Sequence, residues 1–428
     1  MDKKPRTFYS GGVDILILCK VVDNYGDIGF VYRLSRALSA LDGSLRLALA
    51  VSDLPSFAYM APGLDAALPY QRYCGWDVLD WNDSGTCARW CGEHLPRVIL
   101  ECFQCGRPDW LEDYLFGGGL PDGETADVIN LEYLTAEDWA EDFHLLKSGT
   151  RSARVRKVNF MPGFTAGTGG LLMDRHFMEL LGDRPGAAGK LKEFLPAFDA
   201  SACNVLVFSY EKDFVPLVRA LDRFHAEGGN LAVYLAPGRG AASFTSAYSH
   251  EGCEFPLTDL PRLPQGVWDA LLASCDVLFV RGEESFSRAC LAARPFVWHA
   301  YRQDEAFHFV KIAALLERMR GFFLPEDFSL LAELFLLYNS DNGGDSCGKR
   351  GASAMGVDAL DAVASLCPGL PPHLGDGDFV CRRLEELAYG FLSGRERLAA
   401  GFRRFALSLR GNGDLAARLL GYIQESCV

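Results

Sequence analysis

The apolar run DILILCKVV at residues 14–22 constrains the fold of this chain more than any other stretch. It has the length of a strand and lacks alternating polar positions, which is typical of a strand buried on both faces of a parallel sheet. Apolar residues then recur at helical spacing from Phe30 to Leu41. The sequence therefore predicts a strand, a short loop and a helix, the unit that α/β domains repeat.

Strands and helices alternate along the chain in two groups. Further strands are predicted at 45–51, 97–103 and 128–133 in the first group, and at 205–210, 231–235, 276–280 and 296–299 in the second. The stretch between the groups, GDRPGAAGKLKEFLPAFDASA, is rich in Gly, Pro and Ala and suits a linker. A length of 428 residues also favours two domains. We expect one domain at 1–185, a second at 200–375, and helices over 376–428 that pack back on the first.

Charge and hydropathy argue against several classes of protein. The net charge of −14 and the pI near 5.1 disfavour a nucleic-acid or anionic membrane surface. No apolar run reaches the length of a membrane span, and MDKKPRTFYSGG lacks the apolar core of a signal peptide. We therefore expect a cytoplasmic enzyme or binding protein with neither nucleic acid nor membrane as a partner.

Fourteen cysteines raise the question of a metal site. Cys87, Cys91, Cys102 and Cys105 form a cluster in the sequence, with spacings that loosely suggest zinc. Cys102 and Cys105 end a predicted strand, however, and would point in different directions there. Reduced thiols that pack as small apolar side chains are the favoured interpretation, ahead of structural zinc.

The loop DNYGDIG, which follows the first predicted strand, carries the carboxylates Asp23 and Asp27. Turn chemistry alone would account for both, because Asp readily closes turns and caps helices. A phosphate-binding turn would instead be expected to carry glycines and to lack negative charge.

A second turn, RGEES at 281–285, joins the predicted strand 276–280 to a helix that starts near Ser285. Free backbone N–H groups, the Ser285 hydroxyl and the Arg281 guanidinium would suit a nucleotide diphosphate. A helix cap at Ser285 with acidic residues in the first turn explains the same residues equally well.

Five blocks carry a family resemblance: CKVVDNYGDIG, INLEYLTAEDW, FMPGFTAGTGGLL, VFSYE and FVRGEESFSRACLAARPFVWHAYRQDE. Together, and in this order from residue 19 to 305, they resemble the bacterial arginine rhamnosyltransferases that mature elongation factor P. The resemblance implies a GT-B fold, with two Rossmann-like domains facing a cleft and helices at the C-terminus. It also implies inverting transfer of rhamnose from dTDP-β-L-rhamnose to one arginine of elongation factor P, which activates that factor for rescue of stalled translation. Neither a metal nor another cofactor is implied.

The resemblance also implies roles for individual residues. Asp27 matches the general base, Asp23 a second acidic residue needed for activity, and Glu283 completes the catalytic set. The implied donor-binding residues are Asn24, Tyr25, Gly26, Phe208, Tyr210, Gln265, Arg281, Gly282, Glu284, Ser285 and Gln303. Two positions depart from the family pattern, since Glu284 replaces the usual Asp and Arg262 the usual aromatic residue.

An arginine acceptor would explain why the first loop is acidic. The guanidinium group is planar and cationic, so carboxylates can hold it through paired hydrogen bonds, orient one nitrogen and accept its proton. One alternative is a GT-B glycosyltransferase for another nucleotide sugar or acceptor, which would not need two carboxylates there. Another is a non-catalytic binding protein for elongation factor P or a nucleotide. The joint presence of Asp23, Asp27 and Glu283 argues against a non-catalytic binding protein.

Overall fold

The computed structural model describes residues 15–22, 26–340, 355–370 and 377–427. Its internal contacts divide the chain into two compact units. Unit 1 comprises Met1–Met178 and Asn412–Val428, and unit 2 comprises Glu179–Gly411. The division after residue 178 therefore falls just before the stretch that composition suggested as a linker.

Unit 1 contains one eight-stranded sheet in the order β3-β4-β2-β1-β5-β6-β8-β7. Its strands are β1 (Ile15–Cys19), β2 (Leu47–Val51), β3 (Tyr70–Tyr73), β4 (Trp76–Asp80), β5 (Val98–Cys102), β6 (Ala126–Leu131), β7 (Lys147–Ser148) and β8 (Val155–Phe160). The edge strands β3 and β7 run antiparallel to their neighbours, and the other six strands are parallel. The helices along this part of the chain are α1 (Gly26–Leu41), α2 (Leu54–Met60), α3 (Ser84–His94), α4 (Asp109–Phe116), α5 (Trp139–Phe143) and α6 (Arg175–Gly182).

The continuous apolar sequence of β1 follows from its central position. Alternate side chains enter two cores, with Ile15 and Ile17 in one and Leu16 and Leu18 in the other. Helices α1 and α2 cover the first core, and α3 and α4 cover the second. Because both faces of the strand are buried, no polar alternation is needed.

Unit 2 contains a parallel five-stranded sheet in the order β11-β10-β9-β12-β13. Its strands are β9 (Cys203–Val207), β10 (Leu231–Leu235), β11 (Leu257–Asp259), β12 (Val277–Arg281) and β13 (Phe296–His299). The helices are α7 (Arg184–Phe194), α8 (Val215–Ala226), α9 (Arg239–Glu251), α10 (Gln265–Ser274), α11 (Glu283–Ala292), α12 (His308–Arg320), α13 (Pro325–Tyr338), α14 (Val357–Leu366), α15 (Gly377–Ser393) and α16 (Arg395–Gly411), with a 3-10 turn at Asp304–Ala306. Every residue of β9 is buried, so this sheet is also covered on both faces. Each unit is therefore Rossmann-like in architecture.

The C-terminal helices are divided between the units, whereas the sequence predicted helices over 376–428 that pack back on the first domain. Phe391 of α15 packs against Phe279 of β12, and Phe402 of α16 packs against Phe296 of β13, so both helices belong to unit 2. The last helix, α17 (Leu415–Ser426), contributes its buried apolar stripe to the first core of unit 1. No helix in the described part of the chain is long and apolar enough to cross a bilayer.

Gly170 lies where α17 joins unit 1. Its φ is +79°, and a Cβ atom there would come within 2.3 Å of the carbonyl oxygen of Gly413. Next to it, the backbone N–H of Leu415 donates to the Leu171 carbonyl at 3.0 Å. The side chain of Asp414 accepts from the Met173 N–H at 2.6 Å. A glycine is required here because the two backbones approach so closely in a left-handed conformation.

We predict that Gly170→Ala destabilises the protein by at least about 1–3 kcal/mol, the cost of a strained left-handed residue, because its methyl group must also displace Gly413. Gly421→Ala is the matched control, since Gly421 lies inside α17 with open space around its Cα. The control should gain up to about 1 kcal/mol from helix propensity. Urea unfolding of both variants checks this, and equal stabilities would contradict it.

Candidate active site

The strand order of each sheet identifies where a ligand can bind. In unit 1, β1 lies between β2 and β5, so the strands that follow β1 in the chain are added first on one side of it and later on the other. In unit 2, β9 lies between β10 and β12 in the same way. Ligands of open parallel sheets bind at the carboxyl ends of the strands at such a switch point. Of the two turns singled out in the sequence, the one from β1 to α1 follows the first switch-point strand, and the one from β12 to α11 follows the strand that pairs with β9.

Asp27 is the second residue of α1 and only 5% exposed. Its Oδ2 accepts a hydrogen bond from the backbone N–H of Val22 at 2.7 Å, which ties the chain leaving β1 to the start of the helix. A carboxylate in the first turn also interacts favourably with the helix dipole. Gly26 starts the same helix, whereas Asp23, Asn24 and Tyr25 lie outside the described residues.

Two arginines and one aspartate fix the position of α1. Arg33 is fully buried, and its Nη1 lies 3.1 Å from Oδ2 of Asp174. Arg36 reaches the same oxygen at 2.7 Å, while the other oxygen of Asp174 accepts from the N–H of Phe177 in α6. A buried guanidinium requires a carboxylate partner. Sequence reasoning missed this set, although an arginine inside the apolar helical pattern was a signal that such a partner exists.

A row of aromatic rings continues from α1 along the carboxyl edge of the sheet. The rings of Phe30 and Phe103 are 5.1 Å apart between centroids, and those of Phe103 and Tyr133 are 4.7 Å apart and stacked. Beside them, Gln104 Nε2 donates to both carboxylate oxygens of Glu132, at 3.0 and 2.9 Å. Glu132 is thus a second carboxylate at this edge. Its position near the end of the strand predicted at 128–133 could have identified it.

The four clustered cysteines do not converge on one point. Cys87 and Cys91 lie in the core under α3 and α4, whereas Cys102 lies in the core on the other side of the sheet. Burial raises the pKa of Cys87 and of Cys91 to about 12, as expected for thiols packed in an apolar core. Within the described residues, no group of three or more His, Cys, Asp or Glu side chains could hold a metal ion.

In unit 2, the guanidinium of Arg281 rests against two aromatic rings at the end of the sheet. Its Cζ is 4.7 Å from the centroid of Phe208 and 4.6 Å from that of Tyr210. The N–H of Phe208 donates to the carbonyl of Phe279 at 2.8 Å, which holds the chain after β9 beside β12. Cation–π contacts of this kind restrict a flexible arginine and prepare its fork for an anion.

The helix that follows Arg281 offers backbone N–H groups. Gly282 has φ +71° and precedes α11, whose first residues are Glu283, Glu284 and the buried Ser285. Two carboxylates in this turn would repel a phosphate. Oε1 of Glu284, however, lies 3.6 Å from Nε of the buried Arg288, so its charge is partly balanced inside the unit.

A second helix N-terminus lies next to Arg281. A Cβ atom on Gly238, which precedes α9 with φ +154°, would be 3.4 Å from Nη2 of Arg281. A Cβ atom on Gly240 would come within 2.6 Å of the Ser209 carbonyl oxygen. These glycines allow close backbone approach, the arrangement that suits phosphate binding. Sequence reasoning missed this PGRG turn at 237–240, although it directly follows a predicted strand.

His299 forms hydrogen bonds with the loop that follows β9. Its Nδ1 accepts from the Tyr210 N–H at 3.3 Å and lies 2.6 Å from Ser209 Oγ, which is 2.9 Å from the hydroxyl of Tyr338. Burial, together with the positive charge of Lys212 nearby, holds the pKa of His299 well below its usual value. The imidazole is therefore neutral, and its role is to hold Ser209 and Tyr210 in position.

The sequence also predicted two glutamines, Gln265 and Gln303, as donor-binding residues. Gln265 is buried at the start of α10, and Trp268 of that helix packs edge-on against Phe208 at 5.1 Å. Gln303 follows β13 closely, and its Oε1 has no hydrogen-bond partner among the described residues. Arg262 is exposed.

Two Rossmann-like units, each with a switch point in its parallel strands, are the architecture of the GT-B class of glycosyltransferases. The family model described as "Elongation-Factor P (EF-P) rhamnosyltransferase EarP" matches residues 15–370. This chain belongs to that family, which confirms the resemblance seen in its motifs.

Relatives agree with this assignment. The protein-arginine rhamnosyltransferase of Shewanella oneidensis is 34% identical over 319 residues, or 70% of this chain and 79% of its own length. The protein of the same name from Pseudomonas putida is 35% identical over 342 residues, or 76% of this chain and 86% of its own length. A structure solved to explain EarP-mediated arginine glycosylation of elongation factor EF-P superposes with a TM-score of 0.52 at 20% identity, covering 96% of this chain and 98% of its own. It supports the fold.

We predict that Arg281→Ala weakens binding of a nucleoside diphosphate, with dTDP as the probe, by about ten- to a hundredfold, the equivalent of one charge-assisted contact. Arg281→Lys should recover part of the loss, because it keeps the charge but loses the stacked fork. Arg320→Ala, the same charge change on the α12 surface beside Glu317, is the control and should bind normally. Titration calorimetry measures all three. Unchanged dTDP affinity in Arg281→Ala would remove Arg281 from the phosphate site.

Proposed function

We propose that this chain transfers L-rhamnose from dTDP-β-L-rhamnose to an arginine side chain of elongation factor P. The observation that carries the proposal is the match of residues 15–370 to a family described as a rhamnosyltransferase of elongation factor P. The name protein-arginine rhamnosyltransferase, given to the relatives, supports it. Because elongation factor P serves translation, the reaction would take place in the cytoplasm.

Unit 2 is proposed to bind the donor. Arg281 and the N–H groups at the starts of α9 and α11 would hold the diphosphate and stabilise the charge that develops on it as the sugar leaves. Glu283, the first residue of α11, would accept hydrogen bonds from sugar or ribose hydroxyls. Phe208 and Tyr210 act through Arg281, because their rings set the direction of its fork.

Unit 1 is proposed to bind the acceptor arginine. A guanidinium has a pKa above about 12 and is not deprotonated at neutral pH, so its proton must leave as the new bond forms. The nitrogen attacks the anomeric carbon, the bond from that carbon to the diphosphate oxygen breaks, and Asp27 takes the proton. A single displacement inverts the anomeric centre and needs no covalent enzyme intermediate. Asp23 would orient the guanidinium through a second charge-assisted contact.

An alternative is a GT-B glycosyltransferase with a different nucleotide sugar or acceptor. It is favoured by one observation, the exposed Arg262 at a position where the family usually has an aromatic residue. Competition between dTDP, UDP and GDP for the free protein separates the two, since the main proposal requires a preference for dTDP.

The direct test is the intact mass of elongation factor P after incubation with dTDP-β-L-rhamnose and this protein. We expect a gain of one deoxyhexose, which peptide fragmentation should place on an arginine. UDP-glucose in place of the rhamnose donor should leave the mass unchanged. Unmodified elongation factor P in the presence of a folded enzyme that binds dTDP would contradict the proposed acceptor.

We predict that Asp27→Asn lowers single-turnover transfer by at least about a hundredfold, as expected for loss of a general base, while dTDP affinity stays near wild type. The amide oxygen can still accept from the Val22 N–H, so the fold should be kept. Asp42→Asn, just after the end of α1, removes the same charge and serves as the control. Transfer by Asp27→Asn at the wild-type rate would exclude Asp27 as the base. Equal losses of melting temperature, dTDP affinity and transfer would instead indicate a purely structural role.

A separate prediction concerns metal ions. If Arg281 and the helix N-termini neutralise the diphosphate, transfer should persist in excess EDTA at the untreated rate. Loss of transfer in EDTA, with recovery on addition of magnesium or manganese, would show that a metal bridges the diphosphate.

A further inference from the structure

A cavity of about 480 Å³ opens in unit 1, beside the ends of β5, β6 and β8. Its lining includes Arg107, Glu112, Asn130, Arg151 and Lys157. Asp27 is not among the lining residues, and neither is any residue that the sequence predicted for donor or acceptor binding. The cavity therefore needs an explanation of its own.

A polar row crosses β5, β6 and β8 beside the cavity, and two of its three residues, Asn130 and Asn159, line the cavity. Glu101 of β5 pairs in register with Asn130 of β6, which pairs with Asn159 of β8, so the three side chains lie on one face of the sheet. Nδ2 of Asn130 donates to Oδ1 of Asn159 at 3.2 Å. Farther along the sheet, this face is covered by α3 and α4 and is apolar. The polar row replaces apolar packing at the place where the cavity opens.

Cations outnumber carboxylates among the residues that line the cavity. Glu101 accepts from Arg107 and from Lys157, each at 2.7 Å, and Glu112 accepts from Arg107 at 2.5 Å and from Arg151. The residues that line the cavity carry three cations, Arg107, Arg151 and Lys157, against one carboxylate, that of Glu112. Glu101 and Glu132 are not lining residues, but they accept from Lys157 and from Asn130. Lys157 donates to Glu101 alone among the described residues, so it has N–H groups available for a ligand.

A buried acceptor in the same cavity also calls for a partner. Asn130 is 5% exposed, and its Oδ1 has no hydrogen-bond partner in the described part of the chain. Its Nδ2 is already used, donating to Asn159 and to Glu132. Buried polar atoms of this kind are normally hydrogen-bonded. The ligand should therefore bring a donor as well as negative charge.

We propose that this cavity is a binding site for a small phosphorylated molecule that carries hydroxyl groups, of the sugar phosphate class. The phosphate, with a charge of about −1.5 to −2 at pH 7, would accept from Arg107, Arg151 and Lys157. A hydroxyl would donate to Oδ1 of Asn130. A volume of about 480 Å³ lies within the range usual for small-molecule sites. This site is additional to the proposed transfer reaction and does not depend on it.

Gly149 provides a way to close the cavity without removing any of its charges. It lines the cavity, has open space around its Cα and needs no left-handed backbone, so Gly149→Trp should place a ring in the opening. Gly43→Trp is the matched control, because Gly43 is also a loop glycine of unit 1 with open space around it. Equal melting temperatures of the two variants and the wild type will show that both are folded.

Titration calorimetry of the full-length protein with α-D-glucose 1-phosphate tests the site. Wild type and Gly43→Trp should bind one equivalent, and Gly149→Trp should bind at least about tenfold more weakly, equivalent to one good contact or more. Arg151→Ala should also weaken binding. Inorganic phosphate should bind the wild type at least about tenfold more weakly than the sugar phosphate, and glucose should not bind.

Three results would overturn the proposal. One is the absence of saturable binding of glucose 1-phosphate to the wild type. The second is equal affinity in Gly149→Trp and Gly43→Trp, especially if Arg281→Ala abolishes binding, since the probe would then occupy unit 2. The third is equal affinity for phosphate and for glucose 1-phosphate, which would leave the hydroxyl contact with Asn130 without support.

Discussion

Both halves of this molecule depend on central strands that are buried on both faces. A residue inside β1 or β9 has neighbouring strands on either side and helices above and below, so it can neither change partners nor reach a ligand. Chemistry is therefore confined to the carboxyl ends of the strands, where the chain turns into a helix. Asp27 and Arg281 occupy such turns. Sheet topology explains where these two residues lie. The two turns differ in chemistry because one carries a carboxylate and the other a guanidinium.

The charged groups in these turns are prepared by their own units. Arg281 is held against Phe208 and Tyr210, and α9 can approach it because Gly238 and Gly240 have no side chains. The charge of Glu284 is directed towards Arg288, which reduces its repulsion of an anion at the same helix terminus. Groups that are already oriented lose little free energy through reorganisation when charge develops, which is what the proposed metal-independent transfer requires of this site.

Buried polar contacts behind the turns keep these elements in place. Arg33 and Arg36 bind one carboxylate, that of Asp174, which lies 141 and 138 residues away in the sequence. In unit 2, the neutral His299 joins the loop after β9 to the end of β13 through Ser209 and Tyr210. Replacing one partner in such a contact leaves the other buried without compensation, so these residues would affect activity through position alone.

The sequence by itself determined the local elements and the family. Its apolar runs predicted β1, β2, β5 and β6 in unit 1 and the four longer strands of unit 2, and its motifs indicated the family. The roles of Asp27 and Arg281 stay predictions. The tertiary structure alone decided which distant groups meet: Asp174 with Arg33, the turn at 237–240 with Arg281, and the split that sends α17 to unit 1 while α15 and α16 stay in unit 2. The reason is physical. The spacing of apolar residues indicates which side chains are buried, because burial depends on the hydrophobicity of each residue at its own position. Which distant residues come into contact depends on long-range packing, and no local sequence pattern encodes it.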